Sequence, residues 1–152
     1  PGSGHKDQYG SLIQGYFHPE KTGWYKFAVS SQDEGELWLS TDSSLNNKRL
    51  IAKANSKKPR EYGTVASQSD PVHLQRGRAY YIESLHRETT GADSISVSVH
   101  YGQTVSQIAD FTDSDLPIDG KYLSPYIAPP ASAITVSIAE EEIDSDGDGD
   151  GE

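Results

Sequence analysis

The chain contains no cysteine. That absence excludes a thiol nucleophile, an iron–sulfur cluster and a thiolate zinc site. It leaves the redox compartment open, because a domain of 152 residues buries roughly two thirds of its unfolded surface and needs no disulfide to fold. Long apolar runs are missing too. None approaches the ~18 residues of a membrane span, and residues 1–9 lack the apolar stretch of a signal peptide. The opening Pro1-Gly2-Ser3-Gly4 reads as a processed end of a longer protein. No helix-length window places apolar residues at i, i+3, i+4 and i+7, which argues against amphipathic helices. Finally, residues 140–152 hold no base.

What is present has the period of strands. Residues 11–17, 24–30, 36–40, 49–53, 79–86 and 94–101 are short and rich in aromatic and β-branched side chains. Tyr25, Phe27 and Val29 share one face of the second run. Ile95, Val97, Val99 and Tyr101 share one face of the last, with Ser96, Ser98 and His100 on the other. One apolar and one polar face per strand points to antiparallel pairing. Between the runs lie segments 18–23, 33–35, 75–78 and 89–93, rich in Gly, Asp, Thr and Pro, which accept turn dihedrals. The expected fold is therefore all-β, an antiparallel β-sandwich or barrel over residues 8–126. Segment 55–69 is polar and reads as a long surface loop, and 110–130 as an irregular, partly extended linker. Residues 127–152 then form a Pro-rich linker, one further alternating stretch at 133–139 suited to an edge strand, and an acidic tail.

The net charge of −10 is local. Eight of the 23 acids fall in residues 140–152, so the remaining 139 residues hold 15 acids against 13 bases. Within the tail, Asp144, Asp146, Asp148 and Asp150 alternate with Ser or Gly. This spacing lets a tight loop turn successive carboxylates inward onto Ca²⁺. It resembles the repeats of thrombospondin type 3 stalks, whose loops fill with calcium and stiffen. The composition alone fits a self-repelling acidic linker equally well.

Four motifs occur in order: Gly15-Tyr16-Phe17-x-Pro19-x-x-Thr22-Gly23-x-Tyr25-x-Phe27, Ser31-Gln32-Asp33-Glu34-Gly35-Glu36-Leu37-Trp38-Leu39, Asn47-Lys48, and Tyr80-Tyr81-Ile82-Glu83-Ser84-Leu85-His86-Arg87. Together they resemble the anthrax protective-antigen-type (PA-fourteen) β-sandwich module, over roughly residues 9–101. The resemblance implies a sandwich carried by secreted or cell-surface proteins, among them adhesins, glycosidases and toxins, many of them calcium-dependent lectins. Modules of this kind begin several tens of residues further upstream with another strand. By that measure the sandwich here has an open edge, or is completed by a neighbouring chain.

In the lectin members two consecutive aspartates joined by a cis peptide ligate Ca²⁺, and the ion holds vicinal sugar hydroxyls. That pair falls on Gln32-Asp33, where one carboxylate is replaced by an amide oxygen, a weaker ligand for a hard cation. The family's second calcium loop maps to 89–93. The resemblance thus implies Asp33, Gln32, Asp93 and the Gly91 backbone carbonyl as metal ligands, with Thr90 beside them on the glycan. Without the resemblance, Asp33 reads as a turn cap and Asp93 as an Asx-turn.

No nucleophile elbow, phosphate loop or His-Glu-x-x-His occurs. Glu83 and His86, three apart on a strand, point to opposite faces and cannot act as an acid–base pair. Trp24 alternates away from Tyr25 and Phe27, so its indole is a candidate platform for a sugar ring or an anchor for a neighbouring domain. The sign of the charge disfavours nucleic acid. The expected function is a non-catalytic, calcium-dependent carbohydrate-binding or adhesion module that binds a glycan or glycoprotein surface. The alternative is a structural or assembly module that exchanges a strand with its neighbour and uses calcium as a stiffener.

Overall fold

The computed structural model describes residues 10–55, 62–63, 67–87 and 95–128. Among these residues eight strands form two antiparallel sheets: β1 (Gly10–Phe17), β2 (Gly23–Ser31), β3 (Glu34–Ser40), β4 (Lys48–Ala54), β5 (Val72–Leu74), β6 (Tyr80–Arg87), β7 (Ile95–Gly102) and β8 (Leu123–Pro125). The larger sheet runs β4-β3-β6-β1-β8 and the smaller β5-β2-β7. The expected β-sandwich is what forms, with six expected strands at their expected places; the further stretch at 133–139 lies outside the described residues. β5 and β8 were not expected. At three residues each they are too short to show an alternating pattern.

Alternation sets which face is buried. Phe17 of β1, Tyr25, Phe27 and Val29 of β2, Leu37 and Leu39 of β3, and Tyr80 and Ile82 of β6 meet between the sheets and exclude solvent. The Phe17 ring meets the rings of Tyr25 and Phe27 edge to face, with centroids 5.7 and 5.3 Å apart. That geometry adds ~0.5–1.5 kcal/mol per pair beyond the area buried.

β2 is also covered on its other side. Ala28 is wholly buried beneath Tyr62 and Phe111. This corrects the reading of 55–69 as a surface loop, because Tyr62 is 0% exposed and Gln68 forms a β-bridge with Ala28. Val29 N–H donates to Ser67 O and Ser69 N–H to Phe27 O, which extends the β5 edge beyond its named strand. The polar sequence hid this because the main chain makes these bonds, and among the described residues of the segment Tyr62 is the one large apolar anchor. Segment 110–130 is likewise no free linker. Ile118 N–H bonds to Val97 O, Leu116 O accepts from Ser98 Oγ, and β8 pairs with β1.

Two features outside the main core tie these elements down. On the outer face of the larger sheet, Tyr81 donates to the Glu83 carboxylate and accepts from Gln14, and Lys48 Nζ lies 2.9 Å from Glu83 Oε2. Burial and the Glu83 carboxylate push the Tyr81 phenol up to about 12. On the smaller sheet, His100 stacks on Phe111 at 4.2 Å and 13°. One ring nitrogen contacts Ala109 O and the other Asp115 Oδ1, each at 2.8 Å. Partial burial works against charge on Asp115, but the Thr112 N–H and His100 outweigh it and hold the carboxyl below its ordinary value.

The link from β2 to β3 passes from the smaller sheet to the larger in two residues, Gln32 and Asp33. So tight a crossing brings Gly35 against Ser31. A Cβ at Gly35 would sit 2.5 Å from Ser31 Cβ and 3.2 Å from Ile95 Cδ1.

Two outcomes follow. Gly35→Ala should destabilise the chain by about 1–3 kcal/mol, read as a lower denaturant midpoint at unchanged slope; an unchanged midpoint would show that the crossing has room. Because the folded-state pKa of Asp115 is lowered, the stability it contributes is present above the ordinary carboxylate range and is lost as pH falls through and below it. Urea melts from pH 6 to 2.5 should therefore show a shallower acid-side decline for Asp115→Asn than for the parent.

Candidate functional site

Antiparallel order puts the end of β2, the start of β3, the end of β6 and the start of β7 at one end of the sandwich. Gln32 and Asp33 make the corner there, both half-buried, and their peptide bond is trans, as are all those of the described residues. The corner is short because both flanking residues are fixed. Ser31 is opposite Ile95 in the β2–β7 ladder, and Glu34 is opposite Arg87 in the β3–β6 ladder.

That register settles where the second expected loop is tethered. Arg87 and Ile95 bound residues 88–94, so both ends of that segment are anchored one ladder position from the Gln32–Asp33 corner, roughly 5 Å between Cα atoms. Thr90, Gly91 and Asp93 lie outside the described residues, as do Asp144, Asp146, Asp148 and Asp150. Beneath the corner, on the inner face of β6, His86 is 3% exposed and its Nε2 has no hydrogen-bond partner among the described residues. Glu83 is engaged on the opposite face of the same strand, as the three-residue spacing requires.

The corner has the chemistry of a partial hard-cation site. Asp33 supplies a carboxylate and Gln32 a neutral oxygen, whereas Ca²⁺ takes six to eight oxygens. Among the described residues no three His, Asp or Glu side chains converge on one point. The remaining ligands would have to come from 88–94 and from the bound molecule.

Trp24 does not belong to this end. It is the second residue of β2 and stands eight residues from Gln32, roughly 26 Å along an extended strand. It is half-buried, and its indole meets His73 edge to face at 5.1 Å. Around it lies a cleft of about 430 Å³ at the β4 and β5 edges, lined also by Thr41, Arg49, Gln75, Arg78 and Tyr80. No linear signal marks this cleft, since its residues come from β2, β3, β4, β5 and the turn before β6.

The chain resembles several known proteins. A mouse protein named N-acetyl-beta-glucosaminyl-glycoprotein 4-beta-N-acetylgalactosaminyltransferase 1 is 38% identical over 96 residues, covering 59% of this chain and 9% of that protein. Mouse fibrocystin-L is 26% identical over 100 residues, covering 66% and 2%. The chain thus spans less than a tenth of the curated relatives it matches. Among solved structures, the epithelial adhesin 6 A domain of Candida glabrata, in complex with Galβ1-3GlcNAc, aligns with a TM-score of 0.48 at 16% identity, covering 80% of this chain and 57% of that one. The epithelial adhesin 9 A domain of the same yeast, with Galβ1-4GlcNAc, gives 0.46 at 18%, covering 69% and 53%. The sequence pattern of the PA14 domain matches residues 2–125, and the chain belongs to the PA14 domain family.

Proposed function

We propose that the chain is a non-catalytic, calcium-dependent carbohydrate-binding module of a secreted or cell-surface protein, with its site at the Gln32–Asp33 end. The observation that carries this reading is the strand register. It holds Asp33 beside both anchor points of the segment that contains Thr90, Gly91 and Asp93. In this arrangement the Asp33 and Asp93 carboxylates, the Gln32 side-chain oxygen and the Gly91 carbonyl hold Ca²⁺. The open coordination positions take vicinal sugar hydroxyls, and Thr90 contacts the ring. With two carboxylates the ion is bound weakly, since affinity follows ligand charge. The 38% identical mouse relative is named for a reaction on a glycoprotein glycan, a setting that suits a glycan-binding module. The alternating aspartates 144–150 would load further calcium and stiffen the chain beyond the sandwich.

Calorimetry with Ca²⁺ and a glycan array in Ca²⁺ or EDTA test the reading. The folded chain should bind a neutral glycan in Ca²⁺ only, and Asp33→Asn should weaken that binding about tenfold or more. Full binding of the neutral glycan in EDTA removes calcium from the account, and no glycan bound by the folded chain removes carbohydrate.

A second reading, a structural or assembly module completed by a strand from its neighbour, is favoured by one observation. Beside β1, β7 and β8 an apolar groove of about 320 Å³ opens between the sheets, lined by Ile13, Leu37, Ile82, Ile95, Ile118 and Leu123, with Ile13 59% exposed. Light scattering on the eluting chain should then show a dimer that Ile13→Asp dissociates; a monomer at all concentrations sinks it.

A further inference from the structure

The cleft at the Trp24 end departs from the charge of the rest of the chain. Among the described residues no Asp or Glu lines it. Two guanidinium groups do: Arg49 enters from β4 and Arg78 from the turn before β6. Both side chains are exposed, and neither makes an ion pair among the described residues, where Lys48–Glu83 and His100–Asp115 are the only pairs. Asp42, next in sequence to the cleft residue Thr41, is not among the lining residues. Its carboxylate takes the Ser44 N–H, the Asn47 side-chain amide and the hydroxyl of the cleft residue Ser40, and those bonds hold it below its ordinary value.

The arginines stand on a held framework. The turn that delivers Arg78 closes through Arg78 N–H to Gln75 O, with Gly77 at φ +87°, a conformation that glycine adopts without a Cβ penalty. The Tyr80 hydroxyl accepts the Gln75 N–H and Thr22 Oγ1 accepts the Arg76 N–H. On the other side, Arg49 is fixed opposite Leu39 in the β3–β4 ladder. The backbone that carries both arginines is therefore set before any ligand arrives, which lowers part of the ordering cost of binding.

We propose that this cleft is a second binding site, for a saccharide that carries a carboxylate or a sulfate group. The guanidinium forks match a planar or tetrahedral oxyanion, and the Trp24 indole gives the flat apolar surface on which the C–H face of a pyranose stacks. Thr41, His73 and Gln75 supply hydrogen bonds for hydroxyl groups. A volume of about 430 Å³ lies in the ~300–1,000 Å³ range of small-molecule sites. The site stands at the opposite end of β2 from Gln32–Asp33 and needs neither calcium nor that corner.

Calorimetry of the full chain in EDTA, with sialyllactose, lactose 3′-sulfate, lactose and a short polyglutamate peptide, tests the assignment. The two acidic sugars distinguish carboxylate from sulfate as the preferred group. At least one should bind about tenfold or more tightly than lactose, and weaken as salt rises. Arg49→Gln/Arg78→Gln should remove that preference, a loss of about tenfold or more, with the circular dichroism spectrum unchanged because both side chains are exposed. Asp33→Asn should leave it intact, so failure of the loop-end reading and failure of this one are separable. Equal binding of acidic and neutral lactose, an unaffected double variant, or polyglutamate binding as tightly as the acidic sugars would each overturn the proposal.

Discussion

The whole arrangement depends on β2 being buried on both faces. Phe27 and Val29 fill the space between the sheets while Ala28, between them, is sealed from outside, and all three are inaccessible to solvent. A three-stranded sheet is too narrow to protect its own central strand. Main chain with little regular structure therefore folds over it, bringing Tyr62 and Phe111 to Ala28 and Ser67 and Ser69 into hydrogen bonds with β2. Truncating Phe27 to alanine would cost ~3–5 kcal/mol, a large share of the ~5–15 kcal/mol by which a domain is stable.

The same strand determines what each end of the sandwich can do. Its far end turns through Gln32 and Asp33 into the other sheet, and its near end presents Trp24 to a basic cleft. An extended strand is rigid along its length and cannot bring its ends together. The two candidate sites are therefore independent in geometry. The calcium chemistry proposed at one and the guanidinium chemistry proposed at the other would answer to different solution variables, chelation and ionic strength.

Strand content was legible because alternation is a local property. Tyr25-Lys26-Phe27-Ala28-Val29 shows it within five residues, and so does Ile95 to Tyr101. Sheet order was not legible, since β3 sits between β4 and β6 through main-chain bonds that any side chains permit. Polar segments misled for the same reason. Gln68 and Ser69 look like loop residues, yet their backbones extend a sheet edge. At the candidate site, Asp33 was found through a motif, and Trp24 through its place out of phase with Tyr25 and Phe27. Its separation from Asp33 needed only the length of β2, but its partnership with Arg49 and Arg78 needed the tertiary structure. Nothing in a linear reading brings position 24 next to 49 and 78.

The pairing of β8 with β1 bears on how the module carries load. β1 enters at Gly10, and β8 runs antiparallel beside it through Phe17↔Leu123, Tyr16↔Ser124 and Gly15↔Pro125. The start of β1 and the end of β8 therefore point the same way. Tension applied between them does not shear all three rungs at once; it opens them in turn from Gly15↔Pro125, against the packing of Tyr126 on Tyr16 and Tyr81. Pulled in this direction, the described residues give way first at β8, lengthening the chain there while β2 between its two sheet neighbours stays folded.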